Sequence, residues 1–201
     1  MFKKIAANTD DNIKFQVTFS MIEIYMEAVA DLLTDGNKKL KVRQNPKEGG
    51  FFVDGVLKIP VSSYEEIDAQ MNAAMQRRTV AATQMNATSS RAHTVVTMVF
   101  STLITDKDTG KKTTRASEIN LVDLAGSERA NSTGATGARP KEGAQINLSL
   151  SALGNVISAL ATGKKNVPFR DSVLTKLLKN SLGGNAKTIM IAALSPADIN
   201  L

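Results

Sequence analysis

Apolar residues along this chain recur with two different periods, and segments of the two kinds alternate without a linker between them. Phe15, Val17, Phe19 and Met21 alternate with polar residues, which is typical of a half-buried strand. A later set recurs at the spacing of one helix face: Ile146, Leu150, Leu153, Ile157 and Leu160. Such alternation predicts an α/β sandwich, and 201 residues suffice for one domain with its own core.

The same patterns place the other elements. A helix is predicted to begin at Ser63, which has capping-box spacing to Glu66, and to end near Arg78. The second half of 22–33 is predicted to be helical, and a further helix over 172–182 has Asp171 or Ser172 as its N-cap. Strands are predicted over 94–103, 119–123 and 188–194, and the last is apolar enough to be a central strand covered on both faces.

Composition excludes several classes of site and leaves one clue to a partner. There is no cysteine and one histidine, which rules out a disulfide framework and a Cys-based zinc site. Residues 1–130 carry 17 basic and 16 acidic side chains, a net of +1, whereas 131–201 carry 8 basic and 3 acidic, a net of +5. This bias favours an acidic partner for the last third, although a solvated basic face remains the alternative. Aromatic residues are 4% and none forms a stacking motif, so nucleic acid is not expected. No apolar run approaches the ~20 residues of a membrane span.

Two short polar segments could carry phosphate chemistry. Asp123 ends a predicted strand, where it could hold Mg²⁺ through water, and Gly126 could let its N–H approach a phosphate. By itself this pattern is more typical of a plain Asp-containing turn after a strand. The second segment, 86–93, places Ser89 and Ser90 side by side before another strand, and hydroxyl oxygens suit Mg²⁺ and phosphate. Its His93 is more typical of a structural histidine than of a base.

At this point the sequence resembles the kinesin motor domain family, in particular the kinesin-3 branch. The matching segments are Asn86-Ala-Thr-Ser-Ser-Arg-Ala-His93, like switch I, and Leu121-Val-Asp-Leu-Ala-Gly-Ser-Glu128, like switch II. The likeness continues through 20–33, 146–154, 167–175 and 180–185, and so covers nearly the whole chain. It implies a three-layer α/β/α kinesin-type P-loop NTPase fold over 1–201, incomplete at both ends. A P-loop GTPase fits less well, because the matches continue beyond the Asp-x-x-Gly motif.

The resemblance also implies roles for individual residues. Ser90 would contact Mg²⁺ and the γ-phosphate, Asp123 would hold Mg²⁺ through water, and the Gly126 N–H would sense the γ-phosphate. Ser89 would help to position the attacking water, and Arg91 and Glu128 would form the salt bridge that closes the switches. Arg78 and Asn86 would lie at the nucleotide site. The implied cofactors are ATP and Mg²⁺.

The resemblance gives the basic third of the chain a partner, the acidic microtubule surface. The expected contacts are Arg139, Lys141, Arg170, Lys176 and Lys179. A microtubule motor is expected in the cytoplasm, on the cytoskeleton, and this segment is expected to contact neither nucleic acid nor membrane. Leu148 and Val173 stand where the family often has lysine, and Ala92 where it commonly has serine.

One departure bears directly on activity. The family's Gly-x-x-x-x-Gly-Lys-[Ser/Thr] loop, whose backbone N–H groups hold the phosphates, does not occur in these residues. The resemblance therefore implies part of an ATP-driven microtubule motor whose 201 residues alone are catalytically incomplete. The alternative is a non-catalytic microtubule-binding module. In the kinesin fold the strand that leads to this loop lies inside the sheet. Without it the sheet would have uncovered edges, so the isolated chain is expected to be poorly soluble or partly molten.

Overall fold

The computed structural model describes residues 2–35, 39–46, 49–85, 91–126 and 139–192, but not the side chains of 79–85 and 139–146. The helices are α1 (Phe2–Ala6), α2 (Tyr64–Met85), α3 (Arg139–Ala161), α4 (Val173–Leu177) and α5 (Lys179–Gly183). The strands are β1 (Ile13–Tyr25), β2 (Ala28–Asp31), β3 (Lys39–Gln44), β4 (Phe51–Asp54), β5 (Ile59–Val61), β6 (His93–Thr105) and β7 (Lys112–Asp123).

The strands form one sheet with the order β4-β3-β2-β1-β6-β7, and β5 pairs with β1 outside this path. Each of these pairs is antiparallel. The longest ladders join β1 to β6, from Ile13 opposite Ile104 to Ile24 opposite His93, and β6 to β7. The strands predicted over 94–103 and 119–123 are therefore confirmed, and both are longer than predicted.

Strand alternation divides the core between the two faces of the sheet. Val17, Phe19 and Met21 of β1 pack with Ile67 and Ala74 of α2 in one cluster. Ile22 and Ile24, at even-numbered positions of β1, pack on the other face with residues of α3 and α4, including Leu153 and Leu174. Because successive side chains of a strand point to opposite faces, the sheet lies between two helical layers. The predicted three-layer architecture is confirmed.

The start of α2 also agrees with the sequence pattern. The Ser63 hydroxyl accepts a hydrogen bond from the Glu66 backbone N–H at 3.2 Å. The Glu66 carboxylate in turn accepts from the backbone N–H and the hydroxyl of Ser62, at 2.7 and 2.8 Å. These bonds satisfy donors that a helix start would otherwise leave unpaired. The helix continues to Met85, beyond the predicted end near Arg78.

The prediction of a helix in the second half of 22–33 is wrong. The segment is a strand, a two-residue turn and a second strand, and Tyr25 lies opposite Ala28. Met26 and Glu27 form the turn with φ of 49° and 60°, values that ordinarily favour glycine or asparagine. Neither residue is a sequence signal for such a turn, so the hairpin was not evident from the pattern.

Two further predictions differ from the structure. The helix over 172–182 is two short helices, α4 and α5, which meet at Leu178 with ψ near 0°. Ser172 is confirmed as the N-cap, since its hydroxyl accepts from the Thr175 N–H at 3.0 Å. The predicted strand over 188–194 is absent from its described part: 188–192 has no regular secondary structure, and Ile189 and Ile191 are about 90% exposed. A strand needs a neighbour to satisfy its backbone, and none lies beside this segment among the described residues.

Candidate functional site

A row of polar side chains crosses three strands where β7 ends and β6 begins. Thr94 of β6 lies opposite Glu23 of β1 on one side and Asp123 of β7 on the other. Directly opposed residues in antiparallel strands project from the same face, so the three side chains share the α2 face. Thr94 is 4% exposed, and its hydroxyl has no hydrogen-bond partner in the described structure. The Asp123 side, at the edge of the described sheet, is open to solvent.

Arg78 of α2 covers the inner end of this row. Its Nε donates to Glu23 Oε1 at 2.8 Å, and both side chains are largely shielded from solvent. Its Nη2 donates to the Ala92 backbone carbonyl at 3.1 Å. Arg78 therefore fixes the backbone immediately before β6 to both α2 and β1, at the point where the segment 86–91 joins the sheet.

His93, one residue before Thr94, projects from the opposite face, towards α3. The Ala125 backbone N–H donates to His93 Nδ1 at 3.0 Å. An Nδ1 that accepts carries no proton, so the neutral ring holds its proton on Nε2. Nε2 therefore donates to the Ser149 hydroxyl of α3, 2.7 Å away. One buried ring thus touches the loop after β7 and the helix behind it.

Burial lowers the pKa of His93 below its ordinary value of 6.5, and the negative charge of Asp123 acts in the opposite direction. The larger of the two effects is desolvation, which disfavours the charged imidazolium. The neutral state agrees with the hydrogen bonds, because a doubly protonated ring could not accept from Ala125. His93 is accordingly a neutral, hydrogen-bonded histidine rather than a base, as the sequence analysis predicted.

The residues at the end of β7 fit a hydrated magnesium ion. Mg²⁺ takes oxygen ligands and keeps several waters, so one carboxylate and a nearby hydroxyl match its needs. Asp123 supplies the carboxylate, and Thr94 supplies a buried hydroxyl left unsatisfied beside it. Within the described ranges no group of three acidic or histidine side chains could hold a metal by itself. The ion would then depend on its waters and on an anionic ligand.

The predicted nucleotide-site residues fall partly inside the described structure. Arg78, Arg91, Asp123 and Gly126 are described, and Gly126 follows Ala125 in the loop that His93 contacts. Asn86, Ser89, Ser90 and Glu128 lie outside the described residues. The Arg91–Glu128 salt bridge therefore stays a prediction. What the structure establishes is that Thr94, near the start of β6, lies opposite Asp123, at the end of β7.

The predicted track-facing residues have different surroundings. Arg170 is exposed, and its guanidinium donates to Gln44 Oε1 at 3.0 Å. The Lys179 ammonium donates to the Gly49 carbonyl at 2.6 Å and lies 5.9 Å from the centre of the Phe51 ring. Lys176 is half-buried on α4. Arg139 and Lys141 begin α3, with side chains outside the described set.

A family model described as the kinesin motor domain matches residues 1–201. The chain belongs to the kinesin motor domain family. It is 56% identical over 211 residues to kinesin-related protein 1 of Dictyostelium discoideum, covering all of this chain and 10% of that protein. It is 51% identical over 213 residues to human kinesin-like protein KIF1B, again covering all of this chain and 12% of the relative. The similarity to KIF1B and its kin confirms the predicted kinesin-3 likeness.

Solved kinesin structures share the fold. The KIF14 dimer, in complex with a microtubule and AMP-PNP, superposes with a TM-score of 0.85 and 42% identity, over 99% of this chain and 57% of that one. A fast kinesin gives a TM-score of 0.81 and 43% identity, over 92% and 51%. The chain thus spans about half of these solved kinesins and between a tenth and a fifth of its curated relatives. Among the helices described, none is long and apolar enough to cross a membrane.

Sequence patterns did not indicate three residues of the candidate site: Glu23, Ser149 and Thr94. Glu23 lies inside an apolar strand and Ser149 inside an apolar helix stripe, and a single polar residue in such a pattern signals a buried partner. Thr94 looked like an ordinary strand residue. Their partners are 55 residues away for Glu23, in Arg78, and 56 for Ser149, in His93, so only the fold could pair them.

Proposed function

We propose that this chain is the switch-bearing and track-facing part of an ATP-driven microtubule motor. The observation that carries this proposal is the pairing of Thr94 with Asp123. It places the start of β6 beside the end of β7. The two segments expected to contact the γ-phosphate adjoin these strand ends in the sequence. Phosphoryl transfer requires little of a protein beyond positioning the reactants and stabilising charge. Groups at these two strand ends could do both.

In this proposal Ser90 and Asp123 would hold Mg²⁺, Asp123 through water, and the Gly126 N–H would contact the γ-phosphate. Bound ATP would supply the phosphoryl group, and Mg²⁺ would neutralise its charge. Ser89 positions the attacking water, and Arg91 pairs with Glu128 to close the site. Arg78 and Asn86 lie beside the nucleotide. Loss of the γ-phosphate contacts releases both segments, as in other nucleotide switches.

The track-facing part of the proposal uses the basic end of the chain. Arg170, Lys176 and Lys179 lie on or just before α4 and α5, and Arg139 and Lys141 begin α3. The net charge of +5 over 131–201 would attract an acidic surface such as tubulin and steer its approach. A microtubule-bound relative supports this partner, because the KIF14 structure has the same fold. A motor of this kind would act in the cytoplasm, on the microtubule cytoskeleton.

These 201 residues are proposed to be catalytically incomplete by themselves, because their sequence has no Gly-x-x-x-x-Gly-Lys-[Ser/Thr] loop. A titration of the purified chain with labelled ATP, Mg²⁺ and microtubules tests this. We expect neither tight binding nor turnover of ATP. Microtubule-stimulated turnover by this chain alone would contradict incompleteness.

The second candidate is a non-catalytic microtubule-binding module. It is favoured by the same missing loop and by Lys179, whose ammonium is held by the Gly49 carbonyl and the Phe51 ring, neither of which belongs to the candidate nucleotide site. The two candidates differ in one respect that can be measured. A motor changes its microtubule affinity with the bound nucleotide, whereas a module does not.

A further inference from the structure

His93 lies between two parts of the molecule that the proposed motor must connect. Its Nδ1 accepts from Ala125, the residue before Gly126, and its Nε2 donates to Ser149 on α3. The ring, Ala125 and Ser149 are all buried, with exposed fractions of 3–6%. Water is therefore poorly placed to replace either bond.

The proposed nucleotide chemistry and the contact with α3 lie on opposite faces of β6. Thr94 projects towards Glu23, Arg78 and the proposed metal site, whereas His93, the preceding residue, projects towards α3. Gly126 is the residue expected to contact the γ-phosphate, so His93 holds the backbone of that loop from the side away from the nucleotide. A shift of the loop would therefore act on the Ala125–His93 bond directly.

We propose that His93 is a positioning residue that couples the loop carrying Gly126 to α3, through its neutral, Nε2-protonated ring. The proposal rests on the proposed motor function and adds a named link to it. Only this tautomer accepts from Ala125 and donates to Ser149 at once. The ring is rigid, so a displacement of the loop is passed to the Ser149 end rather than absorbed by a flexible side chain.

Side-chain replacements can cut each bond separately. In His93→Asn an amide oxygen can occupy the Nδ1 position and accept from Ala125, but nothing reaches Ser149. His93→Gln can place an amide N–H near the Nε2 position and keeps only the Ser149 bond. Ser149→Ala removes the α3 acceptor directly. Ser151→Ala is the matched control, because Ser151 lies on the same helix but is exposed.

The deciding quantity is the microtubule affinity measured with a non-hydrolysable ATP analogue, divided by the affinity measured with ADP. It is measured on the intact protein, meaning the motor of which these 201 residues are proposed to form a part. We expect Ser149→Ala and His93→Asn each to lower this ratio by about 2- to 30-fold, the range found for residues that transmit coupling. The double variant His93→Asn/Ser149→Ala should lower the ratio no more than the more severe single variant, because both substitutions remove the same His93–Ser149 hydrogen bond. Ser151→Ala should leave the ratio unchanged. A purely structural role would lower the melting temperature without moving the ratio.

Nitrogen-resolved NMR of the imidazole supplies a second readout that needs no turnover. We expect Nε2 protonated and Nδ1 unprotonated, and a ring protonated on Nδ1 would overturn the proposal. A wild-type protein with no nucleotide-dependent affinity would overturn the motor function and this link with it. A wild-type protein that has the dependence, and keeps it in both Ser149→Ala and His93→Asn, would overturn the link alone.

Discussion

The Arg78 guanidinium and the Glu23 carboxylate form a 2.8 Å ion pair whose side chains are only 6% and 19% exposed. The pair joins the middle of α2 to the end of β1, and Arg78 also donates to the Ala92 carbonyl. A buried ion pair costs desolvation, but removing one partner is far worse because it strands the other charge. The pair therefore fixes the entry to β6, next to the proposed nucleotide site.

Glu23→Leu should destabilise the region around β1 and α2 by about 3–5 kcal/mol, because it removes the carboxylate that neutralises the buried Arg78 charge. The double variant Glu23→Leu/Arg78→Met should lose less than Glu23→Leu alone. Hydrogen exchange at the β1 and α2 amides of the intact protein measures both. The exposed Arg43–Asp54 pair is the control, and Asp54→Ala should cost less than about 1 kcal/mol. Equal losses for Glu23→Leu and Asp54→Ala would contradict the structural role given to the buried pair.

His93 predicts the pH dependence of stability. Its pKa is lowered in the folded state by burial, so the unfolded chain binds a proton near the ordinary value of 6.5 while the folded chain resists it. Stability contributed by this group is therefore present above pH 6.5 and is lost as the pH falls towards the lowered pKa. We expect the free energy of unfolding to fall over this window in the wild type and to fall less in His93→Asn. Parallel pH curves for the two proteins would show that His93 is not held neutral.

Sequence patterns predicted the strands and helices of this fold better than the turns and helix breaks between them. Alternation in β1 and the helical spacing of α3 reflect burial, which is local along a strand or helix, and both elements were confirmed. Of the described stripe residues, Leu153 is buried and Leu150, Ile157 and Leu160 are half-buried. The turn at Met26 and Glu27 was not predictable, because its positive φ values are imposed by strand pairing rather than by glycine. The break at Leu178 likewise has no local breaker in the sequence.

The candidate site divides in the same way. Asp123 and Gly126 were found because a strand end followed by glycine is a recognisable local signal. The partners of His93 were not, since Ala125 contributes only its backbone and Ser149 lies 56 residues away. Thr94 became informative only when strand register placed it between Glu23 and Asp123. Long-range polar pairing is thus what the fold adds to the motifs.

The isolated chain is predicted to self-associate through the exposed side of β7 and the segment after α5. Leu121 is 55% exposed on the edge strand of the described sheet, and Ile191 is almost fully exposed. An uncovered edge with apolar side chains is a template for pairing with another chain. Leu121→Lys combined with Ile191→Lys should lower light scattering at a given protein concentration, whereas Thr114→Lys, on the same strand, should have little effect. A monomeric wild-type chain with a sharp, cooperative calorimetric transition would contradict this prediction.

Lys176 and Lys179 should respond differently to replacement by alanine. Lys179→Ala removes a bond to Gly49 and a contact with Phe51, so it should reduce stability by about 1 kcal/mol as well as weaken microtubule binding. Lys176→Ala should weaken microtubule binding, more at low salt than at high salt, with little effect on the melting temperature. Cosedimentation over a salt series, beside thermal melts, measures both. A Lys176→Ala protein with unchanged affinity at low salt would remove Lys176 from the proposed track surface.

The most direct test of the central claim is the microtubule affinity of the intact protein in two nucleotide states. Cosedimentation with a non-hydrolysable ATP analogue and with ADP, at one fixed salt concentration, gives the two dissociation constants. If the segments at the ends of β6 and β7 sense the γ-phosphate and pass its state to the track-facing helices, the constants should differ by about 5- to 150-fold. Equal dissociation constants in the two states would contradict the motor account and would leave a microtubule-binding module in its place.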